Sequence, residues 1–131
     1  MQDAARTVKA AQLKDRTKRF AVEIVRLFRA LPRTEEARVI GNQLLRSGTS
    51  VAANYRAVCR ARSKAEFIAK LGIVVEEADE TVFWLELLIE SEIVRAERVA
   101  ELLGEALEVL AILSASQRTA RRTLKKTEDR S

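Results

Sequence analysis

The sequence predicts an all-α fold: a single domain of 131 residues arranged as an antiparallel up-down four-helix bundle. Three observations carry this. Only four glycines and one proline occur, which suits long helices, whose interiors lose about 1 kcal/mol to each Gly and about 3 to each Pro. Apolar residues recur at alternating spacings of three and four, the mark of one buried helical face. The length supports one core without staples, and a β-rich chain would need more turn residues.

Helix 1 is expected over about Ala10 to Leu31. Leu13, Thr17, Phe20, Ile24, Leu27 and Leu31 form its stripe. Pro32 ends it, because a proline pushes the preceding residue out of the α region. Helix 2 is expected over about Glu35 to Cys59. Thr34 is its N-cap, and Glu35 and Glu36 sit where the helix dipole favours anions. Its stripe runs Ala37, Ile40, Leu44, Gly48, Val51, Tyr55, Val58. Gly48 lies on that stripe, so a close approach by a neighbouring helix is expected there.

Helix 3 is expected over about Lys64 to Glu90. Ser63-Lys64-Ala65-Glu66 has the capping-box pattern. The main stripe is Phe67, Leu71, Val74, Ala78, Val82, Leu85 and Ile89. A second apolar set, Ala69, Ile73, Phe83, Trp84 and Leu87, projects to the other side at 100° per residue. A bundle helix needs one apolar stripe, and apolar residues all round imply burial all round. Ile73, Phe83, Trp84 and Leu87 are therefore read as a subunit interface in a homo-oligomer; the alternative is a wide monomer core. Helix 4 is expected over about Arg95 to Leu124, with Val99, Leu102, Ala106, Val109 or Leu110, and Leu113 inward. The turn before it, Ser91 to Val94, contains no Gly or Pro. Residues 118–131 read as a partly frayed basic tail. Short connections make neighbours antiparallel, and 20 to 30 residues per helix give a bundle roughly 30–45 Å long.

Net charge is +5, unevenly spread. Residues 1–34 hold nine Lys/Arg and three Asp/Glu, while residues 64–101 hold four and ten. The asymmetry points to an anionic partner, RNA or DNA first. Lys14, Lys18, Arg26, Arg29 and Arg33 lie opposite the stripe of helix 1, and Arg56, Arg60 and Arg62 crowd the turn after helix 2. These eight are the candidate nucleic-acid-binding residues, reading phosphate backbone rather than bases. A solvated polar face is the plainer alternative. The interleaved aromatics that grip single strands are missing, since Phe20 and Phe28 point inward or sideways.

Catalysis is not expected. The chain has no histidine, which removes the commonest general base, the commonest metal ligand and every Ser-His or Cys-His pair. Di-iron bundles need Glu-x-x-His on two helices. Glu76, Glu77, Asp79 and Glu80 spread around helix 3 instead of converging; Glu76 and Glu80 flank the second apolar set and read as the rim of the interface, and no metal or other cofactor is expected. Cys59, the single cysteine, excludes an internal disulfide and is read as inert and near the core. No run reaches the ~20 apolar residues of a membrane span. Residues 1–14 lack the apolar core of a signal peptide. A cytoplasmic protein without membrane contact is expected.

Gln43-Leu44-Leu45-Arg46, Ser50-Val51, Asn54, Arg60 and Ser63, together with Leu31-Pro32 and the segment Phe67 to Glu90, carry a resemblance. The chain resembles, from roughly Phe20 to Leu113, the four-helix-bundle proteins encoded in 23S rRNA intervening sequences. That family includes the accessory variability protein of diversity-generating retroelements. Many members follow the Asn with Ile-Ala-Glu-Gly, where this chain reads Tyr55-Arg56-Ala57-Val58, so the acid is lost at Ala57 and a base stands beside it at Arg56. The resemblance implies a barrel-like homopentamer with a basic surface. In retroelement members it also implies binding to nucleic acid and to a reverse transcriptase. The functional expectation is a non-catalytic, oligomeric nucleic-acid-binding or accessory protein. In that reading Asn54 and Ser50 make structural hydrogen bonds at the packing surface of helix 2; the alternative is a scaffold that docks an acidic protein through the same basic face.

Overall fold

The computed structural model describes residues Gln2 to Arg130, with side chains from Val8 onward. Four helices follow one another: α1 (Gln2–Ala30), α2 (Glu35–Val58), α3 (Lys64–Glu90) and α4 (Ala96–Asp129). No strand occurs among the described residues. Each helix packs on the next, and α1 closes only loosely on α4. The bundle is thus a ring of four helices with one weak seam. None of the four is long and apolar enough to cross a membrane.

Local chemistry places the ends. Thr34 caps α2, its hydroxyl accepting from the Ala37 N–H at 3.3 Å. Ser63 caps α3 by accepting from the Glu66 N–H at 3.0 Å. Glu66 does not reach back to Ser63; its carboxylate takes the Arg62 N–H and pairs with Lys70 at 2.8 Å. The α3–α4 turn manages without glycine. Glu92 adopts φ 62°, the Ile93 N–H bonds to Leu88 O, and the Glu92 N–H bonds to Ile89 O, both at 3.0 Å. That pair of bonds is a Schellman closure, and Ile93 packs on the core cluster that contains Leu88.

Two helices outrun the sequence expectation. α1 starts at Gln2, since nothing before Ala10 breaks a helix. The supposed frayed tail is helical to Asp129. Ala120 is buried there, and the Thr123 hydroxyl bonds back to Thr119 O at 3.0 Å.

The core has two lobes. Towards the α2–α3 turn, Val51, Tyr55, Val58, Leu71, Val74, Ala78, Val109 and Leu113 pack together. Towards Pro32, Phe20, Ile24, Leu44, Val82, Leu85, Leu88 and Ala106 do. The expected stripes supply nearly all of these. Ile89 is a correction: Leu88 is fully buried in its place, because α3 is turned slightly towards α2. The same turn buries Thr81, whose hydroxyl donates to Glu77 O at 2.7 Å and shares a hydrogen bond with the Ser47 hydroxyl at 3.0 Å. Burying such a hydroxyl without a partner would cost about 1–3 kcal/mol. Gly48 holds α1 close, as a Cβ there would lie 2.8 Å from both Cγ atoms of Ile24. At the weak seam, Arg16 of α1 grips Glu105 of α4 at 2.7 Å and Glu108 at 3.1 Å. Beyond this tie the seam opens into a groove of about 1130 Å³ that reaches Tyr55, Val58 and Phe67.

Candidate nucleic-acid interface

Contacts of the two glycines set the register of α1 on α2. Gly48 meets Ile24, and Gly41 meets Phe28 and Leu31. Lys14 and Lys18 therefore lie level with the last turns of α2, near Arg56, Arg60 and Arg62. Arg29 and Arg33 lie level with its first turns, near Arg38. Around α2, Gly41 and Gly48 face α1 and Ser47 faces α3. Arg38 and Arg56 are 18 residues apart, which is five full turns at 3.6 residues per turn. They project outward together on the α1 side. Lys14, Lys18 and Arg29 project outward from α1 next to them.

The α1–α2 face thus carries a basic group at each end. From Arg38 to Arg56 it spans about 27 Å at 1.5 Å per residue. All eight residues expected from sequence are exposed. Lys14, Lys18, Arg29, Arg33, Arg56, Arg60 and Arg62 form no ion pair among the described residues. Arg26 differs. It pairs with Glu23 at 2.6 Å on the side of α1 turned away from α2, so its charge is spent locally. Sequence reasoning missed Arg38, which is exposed and forms no ion pair among the described residues. Its 18-residue spacing from Arg56 was the available signal. Phe20 is buried and Phe28 half-buried, so neither is presented for stacking along the middle of this face.

The acidic residues of α3 are partly neutralised. Arg46 reaches across from α2 to Glu77 at 3.1 Å and to Glu80. The Arg46 guanidinium holds the Glu80 carboxyl below its ordinary pKa. No group of His, Cys, Asp or Glu among the described residues could hold a metal ion. Cys59 is a correction: it is exposed at the C-cap of α2 rather than near the core, because α2 ends at Val58 and the chain turns outward. Asn54 donates to Ser50 O at 2.9 Å, so its hydrogen bond stays within α2.

On the second face of α3, Ile73 is 48% exposed and Phe83 53% exposed. Leu87 is half-buried. Trp84 is half-buried against the Pro32-end core and meets Phe83 edge-on at 4.8 Å. Its indole N–H is buried and lacks a hydrogen bond of good geometry. It lies close enough to Glu80, one turn back, to help keep that carboxylate ionised.

The model of a family described as 23S rRNA-intervening sequence protein matches residues 9–115. A crystal structure of a protein of unknown function, from the S23 ribosomal protein family and from Bacteroides thetaiotaomicron VPI-5482, is 39% identical and has a TM-score of 0.77. The likeness covers 84% of this chain and 98% of that one. No curated protein matches.

Proposed function

The chain belongs to the 23S rRNA-intervening sequence protein family, and from that premise we propose that it is a non-catalytic accessory protein that binds RNA or DNA through the α1–α2 face as a homo-oligomer. One observation carries the reading. Lys14, Lys18, Arg29, Arg33, Arg38, Arg56 and Arg60 are exposed, and among the described residues no acid pairs with any of them. A surface of that kind gains by releasing counterions from phosphates, and it does so whatever the base sequence. The absence of histidine from the chain supports a role without acid–base chemistry. Oligomerisation rests on the second face of α3, where Ile73 and Phe83 are exposed outside the bundle core and Trp84 and Leu87 beside them are only half-buried. Monomers rarely expose such patches without use. Five copies are the stoichiometry that the family resemblance implies.

The test is binding to structured RNA and duplex DNA across a salt series, on protein freed of carried-over nucleic acid. About six phosphate contacts predict roughly a thousandfold loss of affinity between 50 and 200 mM salt. Reversing Arg56 and Arg60 to glutamate should weaken binding at least tenfold without changing assembly. Phe83→Glu should instead dissociate the assembly, read by light scattering, while helicity is kept. No binding even at low salt would refute nucleic-acid contact and move the proposal to an acidic protein docked on the same face.

A further inference from the structure

We propose that the corner between α1 and α2 is a recognition pocket for a phosphate monoester, such as the 5′-terminal phosphate of an RNA strand. A cavity of about 620 Å³ opens there. Arg29, Arg33 and Arg38 line it, from the last turn of α1, the connecting turn and the first turn of α2 respectively. The acid in the lining is Glu35, and none of the three arginines forms an ion pair among the described residues. The lining therefore has two positive charges in excess.

A phosphodiester carries one negative charge and a monoester about −1.5 to −2 at pH 7, so the monoester matches the surplus. Guanidinium suits the task, since its fork of donors fits phosphate oxygens two at a time. The other wall of the cavity is apolar: Phe28, Leu31 and Pro32. A base or sugar attached to the phosphate can lie against that wall. At the α2 terminus the Thr34 hydroxyl already takes the Ala37 N–H, and the pocket is built from the three arginine side chains. Gly41 keeps the wall in place. A Cβ there would lie 2.7 Å from Leu31 Cδ1 and 3.4 Å from Phe28 Cδ1.

The inference shares its arginines with the proposed nucleic-acid face and rests on that reading for the strand, and the experiment separates the two. Three probes are compared: a 12-nucleotide single-stranded RNA with a 5′-phosphate, the same RNA with a 5′-hydroxyl, and adenosine 5′-monophosphate. The phosphorylated RNA should bind at least fivefold tighter than its hydroxyl twin. That ratio should fall below two in the variant Arg33→Gln/Arg38→Gln, and the nucleotide should compete for the phosphorylated RNA. A ratio near one with no nucleotide binding would overturn the pocket, while steep salt dependence with both RNAs would leave the wider face intact. Nucleotide binding that is lost in the double variant, with neither RNA bound, would uphold the monoester site and overturn the nucleic-acid face. Nucleotide binding with equal affinity for the two RNAs would uphold the site and overturn a strand end as its source.

Discussion

Replacing Gly48 by alanine puts a methyl group where two helices meet. The new Cβ would lie 2.8 Å from Cγ1 and Cγ2 of Ile24 and 3.2 Å from its Cβ. Carbon atoms pack best at about 3.5–4.0 Å. Rotating Ile24 cannot relieve the clash, because both branches and the branch point are involved and the residue is fully buried. The α1–α2 spacing must therefore widen. Overpacking of this kind costs typically 1–3 kcal/mol, set against the roughly 1 kcal/mol that alanine gains over glycine in a helix. The expected net is a loss of about 1 kcal/mol, or a fall in Tm of roughly 3–5 °C for a chain of this size. Gly104→Ala is the matched control. Nothing lies within 4 Å of its added Cβ, so it should gain about 1 kcal/mol from propensity alone. Thermal and urea unfolding followed by circular dichroism, at equal protein concentration, gives both values. If Gly48→Ala proved as stable as Gly104→Ala, the glycine contact would not be what sets the α1–α2 distance.

Glu92→Gly should stabilise the chain by up to about 1 kcal/mol, since Glu92 sits at φ 62° and a side chain in that region costs about 1–2 kcal/mol; urea unfolding measures it, and a loss of stability would contradict the strain. Burial pushes the phenol of Tyr55 up to about 12, with Cys59 adding to the effect. Its folded value exceeds the unfolded one of about 10, so this contribution is complete below pH 10 and should be lost as pH rises from about 10 to 12. Tyrosinate absorbance reads the titration directly, as Tyr55 is the single tyrosine, and a midpoint near 10 would refute the burial. The Arg16 guanidinium holds the Glu105 carboxyl below its ordinary value of 4.5. The sign is opposite: this stability is present above pH 4.5 and lost as pH falls through the lowered value. Arg16→Met should cost under about 1 kcal/mol, the pair being partly exposed, and flatten the acid limb of the stability curve. An unchanged acid limb in that variant would show that the pair does not tie α1 to α4.

Much of this protein is decided by local chemistry, and the sequence states it directly. Pro32 stops a helix, Thr34 and Ser63 start two more, and spacings of three and four mark the inward faces, because each of these acts within a turn or two of chain. The family resemblance, carried by residues of α2 and α3, is legible for the same reason. Tertiary structure decided the rest. Helix 3 is apolar on two sides, so its own pattern could not choose between Leu88 and Ile89. Packing on Ser47 of α2 chose Leu88 and buried Thr81 with it. The basic residues read alike along the chain, yet Arg26 is spent on Glu23 while Arg38 joins the exposed face. That grouping depends on how far α1 slides along α2, which Ile24 against Gly48 and Leu31 against Gly41 determine. The residues in those contacts are 24 and ten positions apart in sequence. Periodicity tells a helix which side to bury; only contact between helices tells it which neighbours its outer side will have.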